Sequence, residues 1–230
     1  MEASSASTPP PATDDYPFLY LQARSIPDFY LLTLGLILAA ALLMVRLSAG
    51  TLRPMGRYLD LLCMGAAFLL LETKNVVQFA LLFGTTWFVN SLVFTGILIA
   101  VYLAIEVARR VELGPSWRLY LALVVALGVA WLVQPELLLR LSVVPRFVVA
   151  IVIAFAPVFL ANLVFARRFR DVAASNLAFA ANLLGAMVGG VLEYASLLTG
   201  YRALLILIAG LYAGAFMLQR AQQHRPVSLA

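Results

Sequence analysis

Charge, cysteine, histidine and lysine are all scarce in this chain. Of its 230 residues only 12% are Asp, Glu, Lys or Arg, with one cysteine, one histidine and one lysine. So little polar surface excludes a water-soluble domain of this length. The lone Cys63 lies in an apolar run and cannot form an internal disulfide. The lone His224 lies near the C-terminus, which excludes an intramembrane histidine ligand for haem. No His/Cys cluster has metal-ligand spacing, so neither a metal nor another cofactor is expected. P-loop, G-x-G-x-x-G and Ser-His-Asp patterns are also missing, and with them any catalytic motif.

What is present is hydrophobic length. The chain is 63% hydrophobic with a mean hydropathy of +0.97. Its apolar runs are continuous and longer than about 17 residues, unlike the short alternating strands of a barrel. The expected fold is all-α, a polytopic membrane protein of about seven transmembrane helices, facing the lipid bilayer. The spans read as 29–47, 58–83, 86–107, 117–133, 146–165, 175–198 and 201–218. The second exceeds a 30 Å hydrocarbon core at about 1.5 Å per residue. Gly84-Thr85 sets up a tight hairpin into the third, and Pro157 is expected to kink the fifth. Residues 1–28 read as a flexible polar tail, 29–219 as the membrane domain and 220–230 as a short polar tail. The start of the chain has no basic segment followed by an apolar one, so a cleaved signal peptide is not expected. Asp14-Asp15 resembles an acid–base pair but falls in the tail with no pocket, where a solvated turn is the expectation.

Net charge is +5 and the pI about 9.7. The arginines sit in short loops between apolar runs, the pattern of a topology signal rather than a nucleic-acid surface. Loops after spans one, three and five carry Arg46, Arg53, Arg57, Arg109, Arg110, Arg118, Arg167, Arg168 and Arg170, and the C-terminal segment adds Arg220 and Arg225. Arg24, Arg140, Arg146 and Arg202 fall on the other side. The positive-inside rule then places the N-terminus outside and the C-terminus in the cytoplasm.

Glu72 and Lys74, the only lysine, stand inside the second apolar run. An ionisable side chain at membrane depth costs a few kcal/mol on insertion scales and usually faces protein or water. Lys74 and Gln78 share a helix face at i,i+4, and Glu72 and Asn75 at i,i+3. In the sixth run Asn182, Gly185, Gly189 and Glu193 fall on one helix face, with Gly185 and Gly189 in a G-x-x-x-G pair. Gly210 and Gly214 repeat that spacing in the seventh. The expected arrangement sets Lys74 opposite Glu193 as an ion pair. Helix glue is the plainest role for these polar groups, since interhelical polar contacts average around 0.6 kcal/mol. A solute or ion path and a partner-docking site are the functional alternatives. Asn90, Asn162 and the terminal aromatics Trp87, Trp117, Tyr58, Tyr120 and Tyr201 read as packing and belt residues.

Three stretches together resemble one family. Thr13-Asp14-Asp15-Tyr16-Pro17-Phe18-Leu19-Tyr20-Leu21, followed by Ile26-Pro27, resembles the segment closing the aminopropyltransferase-like domain of bacterial membrane-fused spermidine-synthase-like proteins. Tyr16 stands where Trp is usual. Leu70-Leu71-Glu72-Thr73-Lys74, with Phe79 through Trp87, is similar to the second membrane helix of that family. Asn182-Leu183-Leu184-Gly185 through Tyr194, with Gly200-Tyr201-Arg202-Ala203-Leu204-Leu205, is similar to its last two helices. The resemblance runs from about Thr13 to the C-terminus. It implies a membrane half without the soluble catalytic domain, so none of the family's nucleotide-loop or acidic catalytic residues has a counterpart here. Three functions are expected in order: a non-catalytic accessory or scaffold subunit working with a membrane-protein partner or as a homo-oligomer; a transporter or half-transporter for a small cationic solute such as a polyamine; and the membrane half of a split aminopropyltransferase. The expected site is the bacterial inner membrane.

Overall fold

A computed structural model describes residues 25–49 and 53–223. The acidic pair Asp14-Asp15, the segment Thr13 to Leu21 and His224 lie outside the described residues. The helices in chain order are α1 (Asp28–Ala49), α2 (Leu59–Phe83), α3 (Trp87–Arg110), α4 (Ser116–Leu132), α5 (Pro135–Leu139), α6 (Val143–Arg170), α7 (Ser175–Leu192), α8 (Ser196–Thr199) and α9 (Leu204–Gln223). A 3-10 turn, Arg53–Tyr58, leads into α2, and another, Glu193–Ala195, links α7 to α8. The protein is an all-α polytopic membrane protein: six helical stretches are long and apolar enough to cross a membrane.

The fourth expected span, 117–133, is α4, and at 17 residues it falls short of the six. It nevertheless runs antiparallel to the whole of α9. Tyr120 Oη donates to Gln219 Oε1 at one end (3.3 Å), and Arg202 Nη2 donates to Trp131 O at the other (2.7 Å). Several boundaries shift from the sequence reading. Asp28 opens α1 rather than ending a tail, and α9 continues to Gln223 rather than stopping at 218. The sixth span is one helix only to Leu192, then tightens into the 3-10 turn and α8 before Gly200, whose φ of 89° reverses the chain.

Local chemistry accounts for the ends. Gly84 at φ 94° closes α2, and Thr86 Oγ1 accepts from Val89 N (3.2 Å) to cap α3 two residues later. Past its expected end at 165, α6 continues to Arg170 because its last-turn arginines find acceptors. Arg167 Nη1 donates to Leu113 O (3.0 Å), and Arg170 Nη2 donates to Ala108 O. Pro157 sits inside a helix that continues past it. The proline removes the N–H that Ile153 O would accept. Asn75 Nδ2 of α2 donates to the adjacent carbonyl, Ala154 O (3.1 Å), supporting the interrupted turn from outside.

α2 is the centre of the bundle, packed on α7, α9, α6 and α3, while α1 lies outermost against α7 and α4 covers α6 and α9. The α2–α7 crossing is a backbone-to-backbone contact. A Cβ at Gly65 would stand 2.0 Å from Asn182 O, one at Gly185 2.0 Å from Leu62 O, and one at Gly189 2.6 Å from Ala66 O. Gly210 and Gly214 do not share this role: nothing lies within 4 Å of a Cβ at either position. α9 packs on α2 and buries Leu204, Leu205 and Ile208 in the common core while its glycines face open space, so the repeated spacing there does not mark a close crossing. Gly96 of α3 makes room for the Phe155 ring, which stacks on Phe79 at 5.7 Å.

Candidate functional site

The α2–α7 crossing sets one helix in register with the other, and that register decides which polar groups meet. Asn182, Gly185 and Gly189 run along the face of α7 that meets α2. Glu193 follows at the foot of that face, and its Oε2 accepts a 2.7 Å hydrogen bond from Thr73 Oγ1. The expected Lys74–Glu193 pair is not formed. Successive helix residues point about 100° apart, so turning Thr73 to α7 turns Lys74 into the bundle. Lys74 is 2% exposed and its Nζ donates to Gln78 Oε1, one turn along the same helix. No carboxylate among the described residues lies within ion-pair distance of it.

The remaining polar residues of α2 divide between neighbours. Asn75 is fully buried and braces α6, leaving its Oδ1 without a partner. Glu72, near the midpoint of α2, is half-buried and makes no hydrogen bond or ion pair with a described residue. It does not share Asn75's partner despite sharing its side of the helix. The Asn182 side chain is also half-buried; its backbone carbonyl, rather than its amide, meets α2.

Beside Glu193 a cavity of about 250 Å³ opens between the starts of α1 and α9, the middle of α2 and the end of α7. Thr73, Ser196, Tyr30, Tyr194 and Tyr201 line it with the carboxylate. Tyr30 and Tyr194 lie 5.5 Å apart, ring centre to ring centre, and Tyr201 is buried. One carboxylate, two hydroxyls and tyrosine faces make a surface suited to a cation, through charge and through the ring quadrupoles.

At the opposite, arginine-rich end lies a network the sequence reading missed. Asp60, fully buried, accepts from Arg168 Nε at 2.5 Å, and Arg168 Nη2 reaches Gln222 Oε1 at 3.2 Å. Read as one of many loop arginines, Arg168 is instead a tie between α2, α6 and α9. The available signal was Asp60, the one acidic residue opening the second apolar run. Gly65 was missed as well, although Gly65 and Ala66 are adjacent small residues, one meeting Asn182 O and the other Gly189 of α7. Tyr58 Oη accepts from Ala174 N (3.2 Å) and so anchors the loop before α7 rather than an interfacial belt alone.

Among the described residues no group of three or more His, Cys, Asp or Glu side chains could hold a metal ion. Comparison with protein-family models, curated proteins and solved structures gave no match. The resemblance to the membrane region of spermidine-synthase-like proteins therefore rests on the residues alone.

Proposed function

We propose that this protein is a non-catalytic subunit of a larger membrane assembly, lying in the bacterial inner membrane with its N-terminus outside and its C-terminus cytoplasmic. The observation that carries this is Glu72. A half-buried carboxylate midway along the central helix, without a partner among the described residues, costs a few kcal/mol facing lipid, and a polar or basic group from another membrane helix would remove that cost. The rest of the bundle behaves as a scaffold. Asn75, Asp60, Arg168 and Gln219 tie different helices together, Lys74 bonds within α2 to Gln78, and α2 and α7 touch backbone to backbone. A group that reaches Glu72 at this depth must come from a membrane helix, and a second copy of this chain is its simplest source; the separately encoded soluble aminopropyltransferase-like half to which the resemblance points would have to dock elsewhere.

Extraction from native membranes in gentle detergent, with native-gel sizing and mass spectrometry, tests this reading. A stoichiometric partner, or a homo-oligomer, that is lost in Glu72→Leu and kept in Glu136→Gln supports it. A wild-type monomer with nothing bound overturns it.

A second reading is favoured by the cavity at Glu193. Its carboxylate has a hydroxyl neighbour but no ion pair among the described residues, and tyrosine rings surround it. On this reading the cavity receives a small organic cation such as a polyamine, as the entry site of a transporter. The tight α2–α7 crossing beneath it means that passage would require these helices to separate. Equilibrium binding of a radiolabelled polyamine that is abolished by Glu193→Gln supports the reading, and unchanged binding refutes it.

A further inference from the structure

The arginine-rich end carries a second cavity, of about 280 Å³, among the start of α4 and the ends of α6 and α9. Ser116, Trp117, Arg167, Phe216, Gln219 and Arg220 line it, and no carboxylate does. Its two guanidinium groups come from different helices and are fixed differently. Arg167 is held by its Nη1 bond to Leu113 O, while its Nε is buried without a partner. Arg220 lies 4.9 Å over the Phe216 ring. Neither forms an ion pair among the described residues, where the ion pairs are those of Glu106 with Arg109 and Arg110 and of Asp60 with Arg168. Two positive charges therefore converge on one recess with no carboxylate paired to either among the described residues. At the same place α4 begins at Ser116 with no side chain capping its first amides, so the positive end of that helix adds to the field. Gln219 is committed one step deeper, to Tyr120.

We propose that this recess binds a phosphate group. Guanidinium forks match phosphate oxygens in geometry as well as charge. The Ser116 hydroxyl and the free amides of α4 supply further donors. The aromatic lining, with the half-exposed Trp117 indole and the Phe216 ring, suits a phosphate carried on an apolar body, and the recess sits at the end of the apolar spans where lipid headgroups lie. The ligand chemistry is a phosphate mono- or diester, supplied by an anionic phospholipid or by a soluble phosphate compound. This site is independent of the Glu72 and Glu193 readings, being built from other residues at the other end of the bundle.

The test is native mass spectrometry and fluorescence-quench titration of the full chain with phosphatidylglycerol, phosphatidylcholine and glycerol 3-phosphate. Wild type is expected to prefer phosphatidylglycerol over phosphatidylcholine. Arg220→Gln, an exposed position whose replacement leaves the fold intact, is expected to weaken that binding about fivefold, and Arg167→Gln with Arg220→Gln further. Arg140→Gln, at the opposite end, is expected to leave it unchanged. Competition by glycerol 3-phosphate at micromolar concentration identifies a soluble phosphate compound as the source, and its failure to compete identifies the lipid. Equal phosphatidylglycerol affinity in wild type and Arg220→Gln overturns the proposal, as does equal affinity for the two lipids.

Discussion

Replacing Gly185 with alanine puts one methyl group into the α2–α7 crossing. That carbon would stand 2.0 Å from Leu62 O, where ordinary contact begins at 3.4 Å, so the backbones must separate by about 1.4 Å locally. The obstacle is a carbonyl inside a helix, which cannot swing aside as a side-chain tip can. The displacement also spreads to Gly65 against Asn182 O and Gly189 against Ala66 O, because all three contacts share one pair of helix axes. Overpacking of this kind costs about 3 kcal/mol, the upper part of the usual range. Alanine returns about 1 kcal/mol over glycine in a helix interior. The net loss is about 2 kcal/mol, roughly 30-fold in the folded-to-unfolded ratio. Reversible unfolding in mixed micelles titrated with a denaturing detergent would read it. Gly210→Ala and Gly214→Ala are the internal controls: both add a Cβ to open space and are expected to be neutral or slightly stabilising. The pair Gly65→Ala with Gly185→Ala is expected to cost less than the sum of its parts, since the first methyl already separates the helices. If Gly185→Ala and Gly210→Ala unfold at the same detergent fraction, the crossing is not what holds these helices.

Three further outcomes follow from the polar contacts. Asp60→Asn or Arg168→Gln alone should destabilise by about 3–5 kcal/mol by leaving one partner of a buried pair uncompensated, while Asp60→Leu combined with Arg168→Met should recover most of that; a double variant as unstable as the singles would contradict it. Asn75→Leu forfeits a hydrogen bond worth around 0.6 kcal/mol and also removes the unpartnered Oδ1, so its unfolding midpoint should stay near wild type, and a loss above about 2 kcal/mol would show that the brace on the Pro157 turn matters more than this. In a double-mutant cycle, Thr73→Val and Glu193→Gln should show coupling of about 0.5 kcal/mol or more, whereas Lys74→Met and Glu193→Gln should be additive; the reverse pattern would restore the Lys74–Glu193 pair.

How far the sequence could be read depended on the kind of interaction. Length and hydropathy carried the membrane class and the broad placement of the spans, because a 20-residue apolar run has few other stable uses. The face formed by Asn182, Gly185, Gly189 and Glu193 was also readable, since helical spacing alone puts those positions in line. Its partner was not. Whether Thr73 or Lys74 meets Glu193 depends on a rotation of α2 by about one residue, which is set by the glycines of both helices together. Gly210 and Gly214 have the same spacing as Gly185 and Gly189 yet face open space, so spacing without a partner helix does not specify a crossing. Arg168 carried no mark separating it from Arg167 and Arg170. Only the fold shows that one is buried on Asp60, one faces a recess and one binds a carbonyl.

The shortness of α4 bears on the membrane as well as on the protein. Trp117 and Trp131, both nearly half exposed, bracket its lipid-facing residues Leu121, Val124 and Val125, and stand about 21 Å apart along the helix at 1.5 Å per residue. The neighbouring α6 is 28 residues long, about 42 Å on the same scale. Lipids on the α4 flank thus meet a hydrophobic belt several ångströms narrower than an average bilayer core, so they must compress or tilt there. Such mismatch makes the protein's preference among membranes depend on acyl-chain length. It also draws a second shallow surface toward that flank, because two proteins sharing one thinned annulus deform less bilayer than two apart.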